Sequence, residues 1–122
     1  MAAYNVPTVR ISVQVAYTNT VPAGHVRSPG EVQAIFAGES HLDIIARELG
    51  MDPLEFRLRN AAHEGVRQVH GPLHKKVGGI EVLNATKEHA HYRAPLGTPS
   101  PSTRRGRGVA YGYWFNGGGP SC

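Results

Sequence analysis

Two helix-start signatures follow one another in the middle of this chain, and they constrain its fold more than any other feature. Ser28-Pro29-Gly30-Glu31 is the first. Ser28 can cap, Pro29 suits a first helical position, and Glu31 sits where a capping box needs an acid. Val32, Ile35, Phe36, Leu42, Ile45, Ala46 and Leu49 then recur at three- and four-residue steps, which predicts one apolar helix face. Gly50 is the expected stop. Asp52-Pro53-Leu54-Glu55 repeats the starting chemistry for a shorter helix to about Ala62, with Leu54, Leu58 and Ala61 inward.

Strand patterns flank this pair. Val9, Ile11, Val13, Val15 and Tyr17 alternate with Arg10, Ser12, Gln14 and Ala16, the period of a half-buried strand. Pro22 and Gly24 break the pattern. Residues 63–79 lose all periodicity and read as a surface loop. Residues 80–91 predict a third helix with Ile80, Leu83 and Ala90 inward. Residues 94–105 form a linker rich in Pro, Ser and Thr. Val109, Tyr111, Tyr113 and Phe115 alternate again, predicting a second strand before a glycine-rich end that reads as a cut. The expected fold is therefore α+β: a two-layer fragment with an N-terminal strand, two to three helices and a C-terminal strand. The 122 residues make one partial domain. Residues 1–62 would hold the strand, loop and two-helix scaffold. Residues 63–105 would hold the loop, possible helix and linker, and residues 106–122 the start of a following strand region.

Composition excludes more than it assigns. No apolar run is long enough to span a membrane, and the N-terminus lacks a signal core. The single cysteine, Cys122, permits no internal disulfide and suits a reducing, cytoplasmic compartment. It also cannot hold an iron–sulfur cluster, which takes about four cysteines. The net charge of +4 invites a nucleic-acid reading. Acids and bases alternate through residues 39–59, however, as on a solvated helix face, and only Arg104, Arg105 and Arg107 cluster. That short arginine–glycine stretch is better read as a loop-to-strand junction than as an RNA contact. His70 and His74 are four apart, and His89 and His91 two apart. Structural zinc sites take about four ligands, often thiolates, so no metal site is expected and these read as surface histidines.

Arg27 heads the candidates for chemistry. Residues 24–30 can bring backbone amides close to a ligand and lead into a helix N-terminus, which favours anions. An arginine there adds a fixed charge and a fork of donors. The residues alone leave open a plain helix entry with a solvated arginine.

The segment A-G-H-V-R-S-P-G-E-V-Q, residues 23–33, resembles the A-F-R-G-x-G-x-P-Q segment of the molybdenum hydroxylases, the family of xanthine dehydrogenase, aldehyde oxidase and aerobic carbon monoxide dehydrogenase. Arg27, Gly30 and Gln33 match, Val26 takes the place of the aromatic, and Ser28 replaces a glycine. A-R-E-L-G-M-D-P-L-E-F-R-L-R-N is the most specific match, and R-G-R-G-V-A-Y-G-Y-W-F-N-G-G-G resembles the strand opening the next cofactor-binding region. The resemblance implies a fragment of a molybdopterin-binding subunit, from an oxidoreductase acting on an aldehyde or N-heterocycle. It implies that Gly24, Val26, Arg27 and Gly30 contact a molybdenum–pterin cofactor in the full-length parent, with none expected on this fragment. Its implied partners are the remaining domains or subunits of the hydroxylase. The family's glutamate base, in a G-x-G-E-like segment, has no counterpart here, so no catalytic residue is assigned and the chain alone is expected to be inactive. Two other readings remain. One is a stand-alone interaction module on the same scaffold, which would form a homo-oligomer through an exposed C-terminal strand. The other is a basic RNA-binding domain.

Overall fold

A computed structural model describes residues 3–22, 24 and 27–113. Four helices run in chain order: α1 (Glu31–Glu48), α2 (Pro53–Asn60), α3 (Gly79–Glu88) and α4 (Ala90–Arg93). Each packs on the next along the chain.

The helix signals act as read in most places. Asp52 caps α2 by accepting from the Leu54 and Glu55 amides at 2.8 and 3.0 Å, with Pro53 in the first turn. Gly50 ends α1 in the left-handed region, at φ 63°. Its amide bonds Arg47 O at 3.0 Å and the Met51 amide bonds Ala46 O at 2.8 Å, the paired bonds of a Schellman ending. The third helical pattern divides in two. His89 leaves helical angles (φ −66°, ψ 135°), so α3 stops there and a single turn, α4, follows.

The first start differs from the expectation. Gly30, not Ser28, is the N-cap of α1, and no side chain caps it. Ser28 itself lies in the left-handed region at φ 51°, and its carbonyl accepts from the Glu31 amide at 3.1 Å. The turn thus places Ser28 two positions before the N-cap, too early for its hydroxyl to cap the first helical amides.

The α+β expectation is corrected. Among the described residues no strand forms, only the isolated antiparallel bridges Tyr4 to Ala61 and Arg67 to Leu73. Residues 9–17 carry the alternation but pair with nothing. Ile11, Val13, Val15 and Tyr17 are 74%, 79%, 88% and 103% exposed, so neither face is covered. A strand exists through ladder bonds to a neighbour, and alternation alone does not supply one. The C-terminal pattern also lacks a ladder, yet its side chains do alternate. Val109, Tyr111 and Tyr113 are half-buried while Ala110 and Gly112 are exposed. Phe115 and the glycine-rich end lie outside the described residues. Val109 and Tyr111 pack against the chain's own core, so this part is not the exposed strand the interaction-module reading needs.

That core is small: Leu54, Ala61 and Leu83, with Leu58, Ile80 and Tyr92 against them. The N-terminal residues close one side. The Asn5 amide bonds Asn60 O at 2.8 Å and the Ala62 amide bonds Ala3 O at 2.9 Å. On the other side Tyr92 donates to Asp52 at 2.9 Å, tying α4 to the cap of α2. Residues 65–74 form a tight turned-back loop held by Gly65-to-His74 and Gln68-to-Pro72 bonds. His74 is buried within it, against Tyr113, and is not the surface histidine expected. No helix among the described residues is long and apolar enough to cross a membrane.

Candidate functional site

The site is built on the N-terminal end of α1 and on what holds that helix in place. Gly24 and Gly30 are open: a Cβ at either would meet nothing within 4 Å. Gly30 also sits at φ 77°, where an L side chain is strained. Arg27 is exposed and makes no bond to another described residue. The first turn of α1 has no side-chain cap; the Glu31 amide bonds Ser28 O, which leaves the Val32 and Gln33 amides without a partner among the described residues at the positive end of an 18-residue helix. Glu31 in that turn offsets part of the positive potential, which leaves Arg27 as the charge able to hold an anion. Of the four expected cofactor contacts, Gly24, Arg27 and Gly30 thus lie on one short loop. Val26 lies outside the described residues.

Behind the loop lies a polar cluster that sequence reasoning missed. The inward face of α1 is the stripe Ile35, Glu39, Leu42, Asp43 and Ala46, not the all-apolar one expected. Val32, Phe36 and Leu49 point outward at 61%, 76% and 60% exposure. Arg57 of α2 is fully buried. Its Nε donates to Glu39 Oε2 at 2.8 Å and its Nη1 to Asp43 Oδ1 at 2.7 Å. Further bonds reach Pro53 O at 3.0 Å and Glu39 O at 3.1 Å. Glu39 also accepts from the Tyr4 hydroxyl at 2.7 Å and the Tyr111 amide at 2.8 Å. One carboxylate therefore joins the N-terminal segment, α1, α2 and the C-terminal segment.

Part of the acid–base alternation read as a solvated face, namely Glu39, Asp43 and Arg57, is this interior network, while Arg47, Glu48 and Arg59 are exposed. A usable signal existed: Glu39 and Asp43 stand one turn apart on the stripe that carries Ala46. Burial works against the Arg57 charge, but the bonds to Glu39 and Asp43 outweigh it and hold its pKa above the ordinary value. The C-terminal segment lies close over α1. A Cβ on Gly112 would stand 3.4 Å from Ile35 Cδ1, and Tyr4 meets Tyr111 edge-on at 5.8 Å. A small cavity of about 110 Å³ remains between Glu31, Ile35, Glu39, Tyr111 and Tyr113.

Three tyrosines here are held in their neutral form. Burial, then the bond to Glu39, raises Tyr4 well above the ordinary phenol value. Burial and Asp52 push Tyr92 up to about 12, and burial with the nearby Tyr113 and Glu39 raises Tyr111. The fold favours the protonated phenols, so their contribution is complete below the unfolded value near 10 and is lost as pH rises through the folded values. Urea midpoints should therefore fall steadily above about pH 10, and Tyr4→Phe with Tyr92→Phe should flatten that fall. An unchanged alkaline slope in the double variant would remove these phenols as its cause.

Among the described residues no group of three or more His, Cys, Asp or Glu side chains is placed to hold a metal ion. The loop offers the exposed Arg27 guanidinium and open backbone at Gly24 and Gly30, which suit anion recognition.

Comparison with known proteins bears on the same region. The molybdopterin cofactor-binding domain family matches residues 1–61, which include the loop, α1 and α2. The chain is 37% identical over 91 residues to the nicotinate dehydrogenase large molybdopterin subunit of Eubacterium barkeri, covering 74% of this chain and 21% of that protein. It is 41% identical over 110 residues to a putative xanthine dehydrogenase molybdenum-binding subunit of Escherichia coli, covering 86% and 15%. It is 42% identical over 64 residues to the aldehyde oxidoreductase of Megalodesulfovibrio gigas, covering 52% and 7%. The chain thus spans about a fifth or less of the length of these relatives. No solved structure gives a significant match.

Proposed function

Because this chain belongs to the molybdopterin cofactor-binding domain family, we propose that it is the part of a molybdenum-dependent hydroxylase that presents the Arg27 loop to the molybdenum–pterin cofactor. The observation that carries this reading is the open, uncapped loop end of α1 within the matched region. Gly24 and Gly30 leave the backbone approachable, the first-turn amides are unclaimed by side chains, and Arg27 has no competing partner among the described residues. Those features suit a phosphate- and oxygen-rich ligand. The bound cofactor would supply the redox centre for oxidation of an aldehyde or N-heterocycle. In this proposal Arg27 holds an anionic group, the amides of the first turn of α1 orient it, and Gly24 and Gly30 let the backbone come close. Val26 belongs to the proposed contact set by its place in the loop. The Glu39–Arg57 cluster fixes the helix that carries them.

The remaining domains or subunits of the hydroxylase are the proposed partners, and the cytoplasm is the proposed compartment. The bare alternation of residues 9–17 supports a partner, since paired residues there would cover five exposed large apolar side chains, those of Val9, Ile11, Val13, Val15 and Tyr17. The homo-oligomer reading loses support, because Val109 and Tyr111 are turned onto the chain's own core.

The test is cofactor content. In the longer hydroxylase subunit that carries this segment, Arg27→Gln should lower bound molybdenum and releasable pterin about 10-fold or more, the value of a lost charge-assisted hydrogen bond. Unchanged molybdenum and pterin per chain would retire the loop as a cofactor contact. The 122-residue chain alone should show no dye-linked aldehyde oxidation, and turnover by it would overturn the fragment reading.

A further inference from the structure

The arginine–glycine stretch, which the cofactor reading leaves unused, lines a cleft on another part of the molecule. Arg104, Arg105, Gly106 and Arg107 face His91 and Leu96 across a cavity of about 530 Å³, and no carboxylate lines it. The cleft shares no residue with the loop at 24–30.

Arg107 is set in place before any ligand arrives. Nη1 donates to Tyr92 O at 2.5 Å and Nη2 to Ala94 O at 2.6 Å, and the guanidinium lies 5.9 Å from the centre of the Tyr92 ring. Those bonds leave Nε and the second hydrogen on each terminal nitrogen unused among the described residues. Arg105 reaches across the cleft, with Nη1 3.8 Å from where a Cβ of Gly97 would stand. Asp52 lines an adjoining cavity with Arg107, but neither Arg105 nor Arg107 forms an ion pair with a described carboxylate. Gly106 and Gly108 complete the picture: a Cβ at either would meet nothing within 4 Å. Packing does not require those glycines, and their bare backbone is open to a ligand.

We propose that this cleft binds a phosphate-class anion of about pyrophosphate size, held by Arg105 and Arg107 and approached by the Gly106 and Gly108 backbone. The ordered fork of Arg107 matches a tetrahedral anion's oxygens, and its fixed position reduces the entropy lost on binding. The ligand chemistry is the same whether the pyrophosphate is free or part of a larger phosphorylated molecule.

Sodium pyrophosphate titrated into the isotope-labelled chain at constant ionic strength, followed by amide NMR, tests this. Saturable shifts at Gly97, Gly106, Arg107 and Gly108 are expected, with a dissociation constant of about 1 mM or tighter. Arg105→Gln should weaken binding about 10-fold while leaving the remaining spectrum folded, since that side chain is exposed. Arg107→Lys keeps the charge but not the fork, and should also bind more weakly. Shifts that never saturate, or that Arg105→Gln leaves unchanged, would overturn the proposal. So would tighter binding of a single-stranded RNA oligomer with a salt slope counting many phosphates, which would make the face an extended nucleic-acid surface.

Discussion

Replacing Arg57 with methionine should lower the free energy of unfolding by about 3–5 kcal/mol, a large part of what a domain of this size has to lose. Methionine keeps most of the stem volume, so the loss measures the charge and its bonds. The change strands Glu39 inside the protein with only the Tyr4 hydroxyl and the Tyr111 amide as partners. It also frees two backbone carbonyls that the guanidinium satisfied, those of Pro53 and Glu39. A buried carboxylate without its cation is costly; a pair replaced together need not be. Glu39→Leu combined with Arg57→Met should therefore cost less than the sum of the two single changes. Urea unfolding of the four proteins reads this directly. A single-variant loss below about 1 kcal/mol would place the cluster among solvated surface pairs and would remove the anchor proposed for the cofactor loop.

Gly79→Ala should be the next most damaging small change, at about 1–3 kcal/mol. Gly79 opens α3, where alanine is ordinarily the better helix former. Here the added Cβ would stand 1.7 Å from the Tyr111 hydroxyl oxygen and 2.8 Å from Cζ. The ring would have to leave its place against the core, pulling on the segment whose amide bonds Glu39. Two controls separate the clash from helix propensity. Gly38→Ala, in the middle of α1 with nothing within 4 Å, should stabilise by about 1 kcal/mol. In a Tyr111→Ala background, Gly79→Ala should lose its penalty. Destabilisation that persists without the Tyr111 ring would point to the backbone at Gly79 and remove the proposed wedge.

Both effects rest on contacts between residues far apart in the chain, and this divides what was legible in the sequence from what was not. Local rules identified the Asp52 cap, the Gly50 ending and the inward Leu54, Leu58 and Leu83, because each depends on a few neighbouring residues. The segment that carries Gly24, Arg27 and Gly30 was singled out in the same way, and its role stays a proposal. The fold class was not. Alternation at residues 9–17 states which side chains could share a face, and only a neighbouring backbone can turn that into a strand. None is supplied by the described residues. Alternation at Val109 and Tyr111 did correspond to burial, because α2 and α3 offer a surface to that segment.

The sequence by itself determined where the first two helices lie, the Asp52 cap, the Gly50 ending and the family, since these are written in residues close together along the chain. Only the tertiary structure decided that Ser28 does not cap α1, that residues 9–17 lie uncovered, and that Glu39 and Arg57 are interior. A charged residue in a helical stripe reads the same whether it meets water or a buried partner. Its partner here is 18 residues away, and folding, by removing water from both, is what joins them.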